Sequence, residues 1–298
     1  MTTPATDTTS LLSPSDHAFF EEIGYLVVSN AAPRAACEAV VETIWEFLGM
    51  DPARPDDWHR PPHVVSGMVE LYQHQSLWDC RQSPRVHQAF ADLWGTQKLW
   101  VSLDRVNRKP PVCPDDPDAA HKRGFGYCHW DFDTNRLAHT PPAIQGVLCL
   151  TDTPAGMGGF QCVPGFHEHG LLEDWIAAQP PGRNSQMPDL NRLPPGLSVT
   201  PVPARAGDLI VWSNRLAHGN GHNTSSVCRF AQYIALRPVP TGEKAEAECD
   251  ERIRQWRERM PPNETWAPGD PRGWERARQK DPAKLTPLGR KLLGLDSW

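Results

Sequence analysis

The first third of the chain alternates between helical and extended patterns of apolar side chains. Residues 1–14 show neither pattern and are expected to form a flexible N-terminal tail. Residues 16–23 predict a short helix, and the β-branched and aromatic run at 25–29 predicts a strand. Over residues 35–48 apolar side chains recur every three or four positions, which is typical of an amphipathic helix, and a further helix is expected at about 84–93.

Beyond residue 98 the pattern changes to short apolar runs bounded by Gly, Pro and Asp. These runs lie at 99–106, 143–150, 160–163, 197–201, 208–212 and 229–236. Such a series predicts a β-sandwich or barrel. The segment 171–195 is expected to place a helix and a loop over one mouth of the barrel. We therefore expect a mainly β fold with flanking helices, in which residues 15–240 form the core domain and 241–298 form a helical extension packed on it.

The composition indicates a globular protein rather than a disordered one. Of 298 residues, 39% are hydrophobic and 22% are charged, and the formal net charge of −6 argues against binding to nucleic acid or to an anionic membrane. Residues 251–298 hold eleven Lys/Arg and seven Asp/Glu, which we interpret as solvated helix faces, with an anionic partner as the alternative.

The N-terminal sequence and the spacing of the cysteines indicate in which cellular compartment the protein is expected. The N-terminus lacks the basic start and apolar stretch of a secretory signal, and no apolar run is long enough to span a membrane. The eight cysteines are scattered and include no CxxC pair, as expected of reduced thiols. We expect a cytoplasmic protein with no membrane partner, and the sequence leaves its oligomeric state open.

The sequence CHWDFD at 128–133 carries the most informative polar residues. In an extended chain residues i and i+2 point to the same side, so His129 and Asp131 can reach one metal ion together. His218, which follows the apolar run DLIVW, adds a second imidazole. Two imidazoles and one carboxylate leave coordination positions open, which suits Fe(II) that must bind a co-substrate and O2. An HxD sequence by itself is common, and a hydrogen-bonded loop pair is the alternative for His129 and Asp131.

Arg229 is the candidate anchor for an anionic ligand. It lies eleven residues after His218, within the apolar sequence CRFAQYIAL. The planar guanidinium can hold a carboxylate through two hydrogen bonds, as a bound dicarboxylate would require. A buried arginine without an acidic neighbour in the sequence favours this role, and the alternative is a surface cation.

Several longer motifs agree in order and spacing. They are FFEEIGYLVVSNAAP near the N-terminus, HWD at 129–131, QGVLCLTDT at 145–153, GGFQCVPGFH at 158–167 and AGDLIVWSNRLAHGNGHNTS at 206–225, followed by Arg229. With these motifs the chain resembles the phytanoyl-CoA dioxygenase family of Fe(II)/2-oxoglutarate oxygenases, over roughly residues 15–240. Within that family LWVSLDRVNRKPP at 99–111 marks a branch to which we assign no substrate.

The resemblance implies a fold, a set of cofactors and a role for each matching residue. The fold would be a double-stranded β-helix, the jelly roll of cupins, using Fe(II), 2-oxoglutarate and O2. His129, Asp131 and His218 would hold the iron, and Arg229 would pair with the distal carboxylate of 2-oxoglutarate. Gln145 or Asn107 would hydrogen-bond the carboxylate near the iron. The reaction would be hydroxylation, or another oxidation, of a small-molecule metabolite or natural-product intermediate, with release of succinate and CO2.

Other assignments stay open. His167 and His169 form a second HxH sequence, for which we expect a structural role, and His121 and His139 are expected at the surface. A cupin-like metal enzyme without 2-oxoglutarate, which has no need of Arg229, and a non-catalytic ligand-binding barrel, which would turn nothing over, are the rival functions. A coenzyme A thioester would require a cluster of cations, for which the candidates are Lys98, Arg105, Arg108 and Lys109.

Overall fold

The computed structural model describes residues 10–59, 67–113, 115, 126–262 and 272–298. His121 and residues 1–9 of the predicted tail lie outside the described residues. Near the first described residue, the backbone N–H groups of Leu11 and Leu12 donate to Asp92 Oδ2 at 2.7 and 2.9 Å. Leu12 is also buried, so this end of the predicted tail is held against the helix that carries Asp92.

The strands pair into antiparallel sheets. Strands β1 to β11 occupy Tyr25–Val28, Met68–Val69, Leu99–Val101, Val106–Lys109, Ile144–Cys149, Phe160–Cys162, Thr200–Pro201, Leu209–Ser213, His218–Asn220, Arg229–Tyr233 and Leu236–Pro238. One sheet has six strands in the order β1-β8-β5-β10-β4-β2, a second has three in the order β7-β6-β9, and β11 pairs with β3. Each predicted apolar run contains a strand, although 99–106 and 229–236 each extend over parts of two strands.

Helices surround the sheets. Helices α1 to α8 occupy Pro14–Ile23, Arg34–Leu48, Gln75–Arg81, Pro84–Trp94, Leu171–Ala177, Glu243–Glu258, Trp274–Arg278 and Pro287–Leu293. Helix α1 begins at a capping box in which Ser13 Oγ accepts from the Asp16 N–H at 3.2 Å and Asp16 Oδ2 accepts from the Ser13 N–H at 2.8 Å. It ends at Gly24, whose φ of 89° favours glycine. No described helix is both long and apolar enough to cross a membrane.

Alternate residues of the six-stranded sheet face two different layers. On β8, Leu209 and Val211 pack with buried side chains of the helices, whereas Ile210 and Trp212 pack with Phe160 of β6. Because successive side chains of a strand point to opposite faces, the helices cover one face of this sheet and the three-stranded sheet covers the other. The space between the two sheets is where the metal-ligand candidates lie.

The last three helices of the described chain bury some of their charged residues. Arg252 donates to the carbonyls of Val101 and Leu292 at 2.7 and 3.0 Å. Glu275 accepts from the Tyr72 N–H at 2.9 Å, and burial raises the pKa of Glu275 to about 7. The interpretation of this segment mostly as solvated helix faces does not hold for these two residues, because they are buried and bond to the backbone of Val101 and Tyr72.

Candidate functional site

A short antiparallel bridge brings the two candidate histidines together. The His129 N–H donates to the His218 carbonyl at 2.7 Å, and the His218 N–H donates to the His129 carbonyl at 3.0 Å. As a result their ring centroids are 4.7 Å apart. Gly219 permits this approach, since a Cβ at that position would lie 2.1 Å from the carbonyl oxygen of Tyr127.

The carboxylate of Asp131 lies between the two imidazoles. Its Oδ1 is 3.1 Å from His129 Nε2, and its Oδ2 is 3.5 Å from His218 Nε2. Gln145 Nε2 donates to the same Oδ2, and Gln145 Oε1 accepts from Trp212 Nε1 at 3.0 Å. Burial by itself raises the pKa of Asp131, but hydrogen bonds from both imidazoles and from Gln145 outweigh it and hold that pKa well below its ordinary value. Asp131 is therefore an anion at neutral pH.

These three side chains offer the donor set of a non-haem iron site. One donor atom from each lies within 4.8 Å of the others. His218 Nδ1 is 2.9 Å from the Leu216 carbonyl, and donation to that carbonyl fixes the ring with Nε2 turned toward Asp131, where a metal ion would replace the Nε2 proton. Two imidazole nitrogens and one carboxylate oxygen, without a thiolate, fit Fe(II). Within the described ranges this is the only group of three or more His, Cys, Asp or Glu side chains able to hold a metal ion.

The three candidate ligands face a cavity of about 590 Å³ between the sheets. Its wall combines aromatic, aliphatic and amide side chains with one arginine and two aspartates. They belong to Met68, Ser102, Asp104, Arg105, Tyr127, His129, Asp131, Gln145, Val147, Phe160, Asn184, Gln186, Met187, Trp212, His218, Asn220, Tyr233, Ile234 and Ala235. Two of these, Trp212 and Phe160, pack on the ring of His218 with centroids 4.9 and 6.1 Å away. A wall of this kind excludes water from one side of the imidazole and fixes its orientation.

Arg229 is buried beside this cavity and bonds to neutral groups. Its Nε and Nη2 donate to the Gly158 carbonyl at 3.1 and 2.7 Å, and Nη2 also donates to Asn220 Oδ1 at 3.0 Å. The residue is 3% exposed, and burial lowers the pKa of its guanidinium. No carboxylate in the described part of the chain forms an ion pair with it. A buried cation without a counter-charge is costly unless a ligand supplies one.

Lys109 is a second cation, beside Arg229; neither is among the residues that line the metal-facing cavity. In the pairing of β10 with β4, Lys109 lies directly opposite Arg229. Its Nζ donates to the Gly221 carbonyl. Burial, together with the charge of Arg229, lowers the pKa of Lys109 to about 7. The sequence shows only a lysine near a predicted strand. That this lysine lies opposite Arg229 depends on the pairing of two segments far apart in the chain.

The structure separates the two amides that the family resemblance singled out. Gln145 lines the cavity and bonds to Asp131. Asn107 is fully buried and donates to the Tyr233 hydroxyl at 3.2 Å, and it is not among the residues that line the cavity.

The candidate cations for a coenzyme A group do not form a cluster. Lys98 is exposed, whereas Arg105 and Arg108 are buried and Lys109 is partly buried. Arg108 donates to the carbonyl of Trp58 at 2.9 Å, on the helix-covered side of the molecule. The exposed set of cations that a nucleotide phosphate would need is therefore not found among these four residues.

The remaining histidines have other surroundings. His167 Nε2 is 3.0 Å from the Glu21 carbonyl, and the side chain of His169 is 86% exposed, 3.8 Å from Glu173. Neither belongs to a group of metal-ligating side chains in the described part of the chain. His139 is exposed, as predicted.

Solved structures of other proteins share this fold. The GlcNAc Inducible Gene 2 protein from Candida albicans superposes with a TM-score of 0.69 at 11% identity, over 98% of this chain and 78% of that one. The epimerase SnoN, solved with Fe³⁺, alpha-ketoglutarate and nogalamycin RO, superposes with a TM-score of 0.54 at 18% identity, over 91% of this chain and 94% of that one. At such identities the likeness concerns the fold.

Sequence comparison adds the family. A Dictyostelium discoideum protein provisionally named a phytanoyl-CoA dioxygenase is 23% identical over 266 residues, which cover 76% of this chain and 75% of that protein. The family model described as phytanoyl-CoA dioxygenase (PhyH) matches residues 20–231, a range that includes the three candidate metal ligands and Arg229. The chain therefore belongs to the phytanoyl-CoA dioxygenase family.

Proposed function

We propose that this protein is a non-haem Fe(II)- and 2-oxoglutarate-dependent oxygenase that oxidises a small molecule and releases succinate and CO2. The observation that carries the proposal is the group of His129, Asp131 and His218, whose donor atoms lie within 4.8 Å of one another on the wall of a cavity. Membership of the phytanoyl-CoA dioxygenase family supports it.

In this proposal the three side chains hold the iron, which when bound supplies the activation of O2 for oxidation of the substrate. The protein orients these ligands through a second set of contacts. Gln145 donates to Asp131 Oδ2 and is itself held by Trp212 Nε1, while the Leu216 carbonyl fixes the ring of His218. Such partners set the orientation and the protonation state of metal ligands.

Arg229 and Lys109 would hold the distal carboxylate of 2-oxoglutarate. Arg229 Nη1 has no hydrogen-bond partner among the described residues, since its bonds to Gly158 and Asn220 use Nε and Nη2. A carboxylate placed between these two cations would provide the missing counter-charge and form charge-assisted hydrogen bonds. Gln145 stands beside the metal and is the better placed of the two candidate amides to contact the other end of the co-substrate.

The proposal also includes the type of fold and the class of substrate. We infer that the two facing sheets form a double-stranded β-helix, with residues 15–240 as the oxygenase domain and 241–298 as an extension. A cavity of about 590 Å³ is large enough for 2-oxoglutarate and a second small molecule. SnoN, which shares the fold, binds nogalamycin RO, and this supports a metabolite or natural-product intermediate as substrate.

The rival functions make different demands on the site. A cupin-like metal enzyme that does not use 2-oxoglutarate would leave the two buried cations without a ligand. A non-catalytic ligand-binding barrel would have no need of a donor set that suits iron. The two buried cations and the donor set that suits iron together favour the oxygenase.

The test is oxygen-dependent conversion of 2-oxoglutarate. Metal-free protein supplied with Fe(II), 2-oxoglutarate and O2 should release succinate, slowly in the absence of substrate, whereas His218→Ala should release none. Iron binding without 2-oxoglutarate binding would favour the cupin-like enzyme instead. Binding of neither would favour the ligand-binding barrel.

A further inference from the structure

Another buried arginine, Arg105, lines the metal-facing cavity itself and has no role in the proposed chemistry. It belongs to the motif LWVSLDRVNRKPP at 99–111. Its side chain is 9% exposed and lines the cavity together with that of Asp104. The Tyr233 N–H donates to the Arg105 carbonyl at 3.1 Å, which extends the pairing of β10 with β4 and fixes the backbone at this position.

The position of Arg105 keeps it away from the expected site of the distal carboxylate of 2-oxoglutarate. On β4, Lys109 lies opposite Arg229, and the row of side chains on the same face continues through Asn107 to Arg105. Arg105 and Lys109 are four residues apart, a separation of roughly 13 Å at about 3.3 Å per residue. Lys109 Nζ is also turned to the Gly221 carbonyl, whereas the Arg105 guanidinium is turned to Asp104 and Met68, so we expect a ligand of Arg105 to be another group.

The hydrogen-bonding capacity of Arg105 is only partly used. Nε donates to Asp104 Oδ1 at 3.0 Å, while Nη1 reaches only the sulfur of Met68, a weak acceptor, at 3.5 Å. Nη2 has no partner among the described residues. Asp104 therefore holds one edge of the guanidinium and leaves the other edge, with two parallel N–H groups, for a planar acceptor.

The surroundings of Arg105 limit what this acceptor can be. The carboxylate of Asp104 balances the charge of the guanidinium, so the pair suits a singly charged carboxylate better than a phosphate dianion. The described residues include four exposed large hydrophobic side chains, and two of them, Tyr127 and Met187, lie at this cavity. With Met68 they offer an apolar surface to the rest of a ligand.

We propose that Arg105 binds the carboxylate of the substrate, and that the substrate is a small monocarboxylic acid whose apolar body lies against Met68, Tyr127 and Met187. This inference rests on the proposed function, since it takes the iron-facing cavity as the place of oxidation. The acid is anchored on the wall of that cavity, away from Arg229, and a carbon of its apolar body faces the three metal ligands.

The test compares monocarboxylic acids with their own primary amides. Protein loaded with Fe(II) and 2-oxoglutarate without oxygen is titrated in a calorimeter with alkanoic acids from butyrate to decanoate and with phenylpropanoates, each paired with its amide. At least one acid should bind more tightly than its amide. Arg105→Gln should weaken that acid about 10- to 100-fold, as expected for loss of a charge-assisted pair, and leave its amide and 2-oxoglutarate unchanged.

Two further variants make the result specific. Lys98→Gln removes an exposed cation nearby in sequence and should change nothing. Asp104→Asn removes the counter-charge and should tighten acid binding several-fold, which tests the site even if Arg105→Gln fails to fold.

Three results are informative in different ways. If no acid binds better than its amide to wild type that holds iron and 2-oxoglutarate, the inference is overturned and the proposed function stands. If Arg105→Gln weakens 2-oxoglutarate as much as the acid, Arg105 serves the co-substrate and the inference is again wrong. If wild type does not bind 2-oxoglutarate, the proposed function itself fails.

Discussion

Replacing Arg229 by methionine should weaken 2-oxoglutarate binding far more than iron binding. Arg229 is 3% exposed and has no acidic partner among the described residues, so the distal carboxylate would be its counter-charge. Loss of a charge-assisted pair of this kind costs about 3 kcal/mol, equivalent to roughly a hundredfold rise in Kd. Lys109, directly opposite on β4, should retain part of the affinity.

The assay is anaerobic calorimetry of Fe(II)-loaded protein with 2-oxoglutarate. Arg205→Met is the matched control, because Arg205 is exposed and should show the wild-type Kd. An Arg229→Met protein that binds 2-oxoglutarate as tightly as wild type would refute the assignment. Equal loss of iron and 2-oxoglutarate, with the fold intact, would refute it too, since Arg229 contacts none of the three proposed metal ligands in its hydrogen bonds.

Three further predictions follow from the same contacts. Asp131→Ala should abolish succinate release without unfolding the protein, because the Asp131 side chain is 46% exposed and its partners among the described residues are the side chains of His129, His218 and Gln145; retained release, measured beside a thermal melt, would contradict the proposed metal site. The affinity for 2-oxoglutarate should fall as pH rises through about 7, by up to tenfold per unit, because the pKa of Lys109 lies near 7 and only its charged form attracts a carboxylate. Calorimetry of Lys109→Met should show a flatter pH profile, and an unchanged profile would remove Lys109 from the site. Gly219→Ala should lower the free energy of unfolding by about 1–3 kcal/mol and weaken iron binding, because its Cβ would meet the Tyr127 carbonyl; denaturant unfolding equal to that of wild type would contradict this.

The metal-ligand candidates could be recognised from sequence because their geometry is local or their neighbours are characteristic. His129 and Asp131 need only an extended chain to point the same way, and His218 follows a strongly apolar strand. The backbone bridge between His129 and His218 could not be predicted from the sequence. It depends on Gly219 and on the pairing of two segments far apart in the chain.

The burial of two cations near the site could not be predicted from the sequence. In the sequence Arg105 and Lys109 were candidates only for a cluster of cations around a coenzyme A group, and nothing there indicated that they are buried. Whether a strand residue faces solvent or the space between two sheets depends on the register of β4 with β10, which is a long-range property. The burial of Arg252 and Glu275 escaped prediction for the same reason, since their partners are backbone groups of distant segments.

Helix α3 was missed because it is short. Its seven residues bury Leu77 and Trp78 side by side, and this is too brief a stretch for a helical repeat to emerge. Helix α3 packs on α2, where the hydroxyls of Ser76 and Thr43 are 3.0 Å apart. Contacts of this kind, between segments far apart in the chain, stabilise its helical conformation.

The most direct test of the central claim is an anaerobic titration of the metal-free protein with Fe(II) and then 2-oxoglutarate, followed by visible absorption. The account predicts a weak, saturable charge-transfer band that requires both additions and is absent from His129→Ala. Tight iron binding without such a band, or a band of equal strength in His129→Ala, would contradict it.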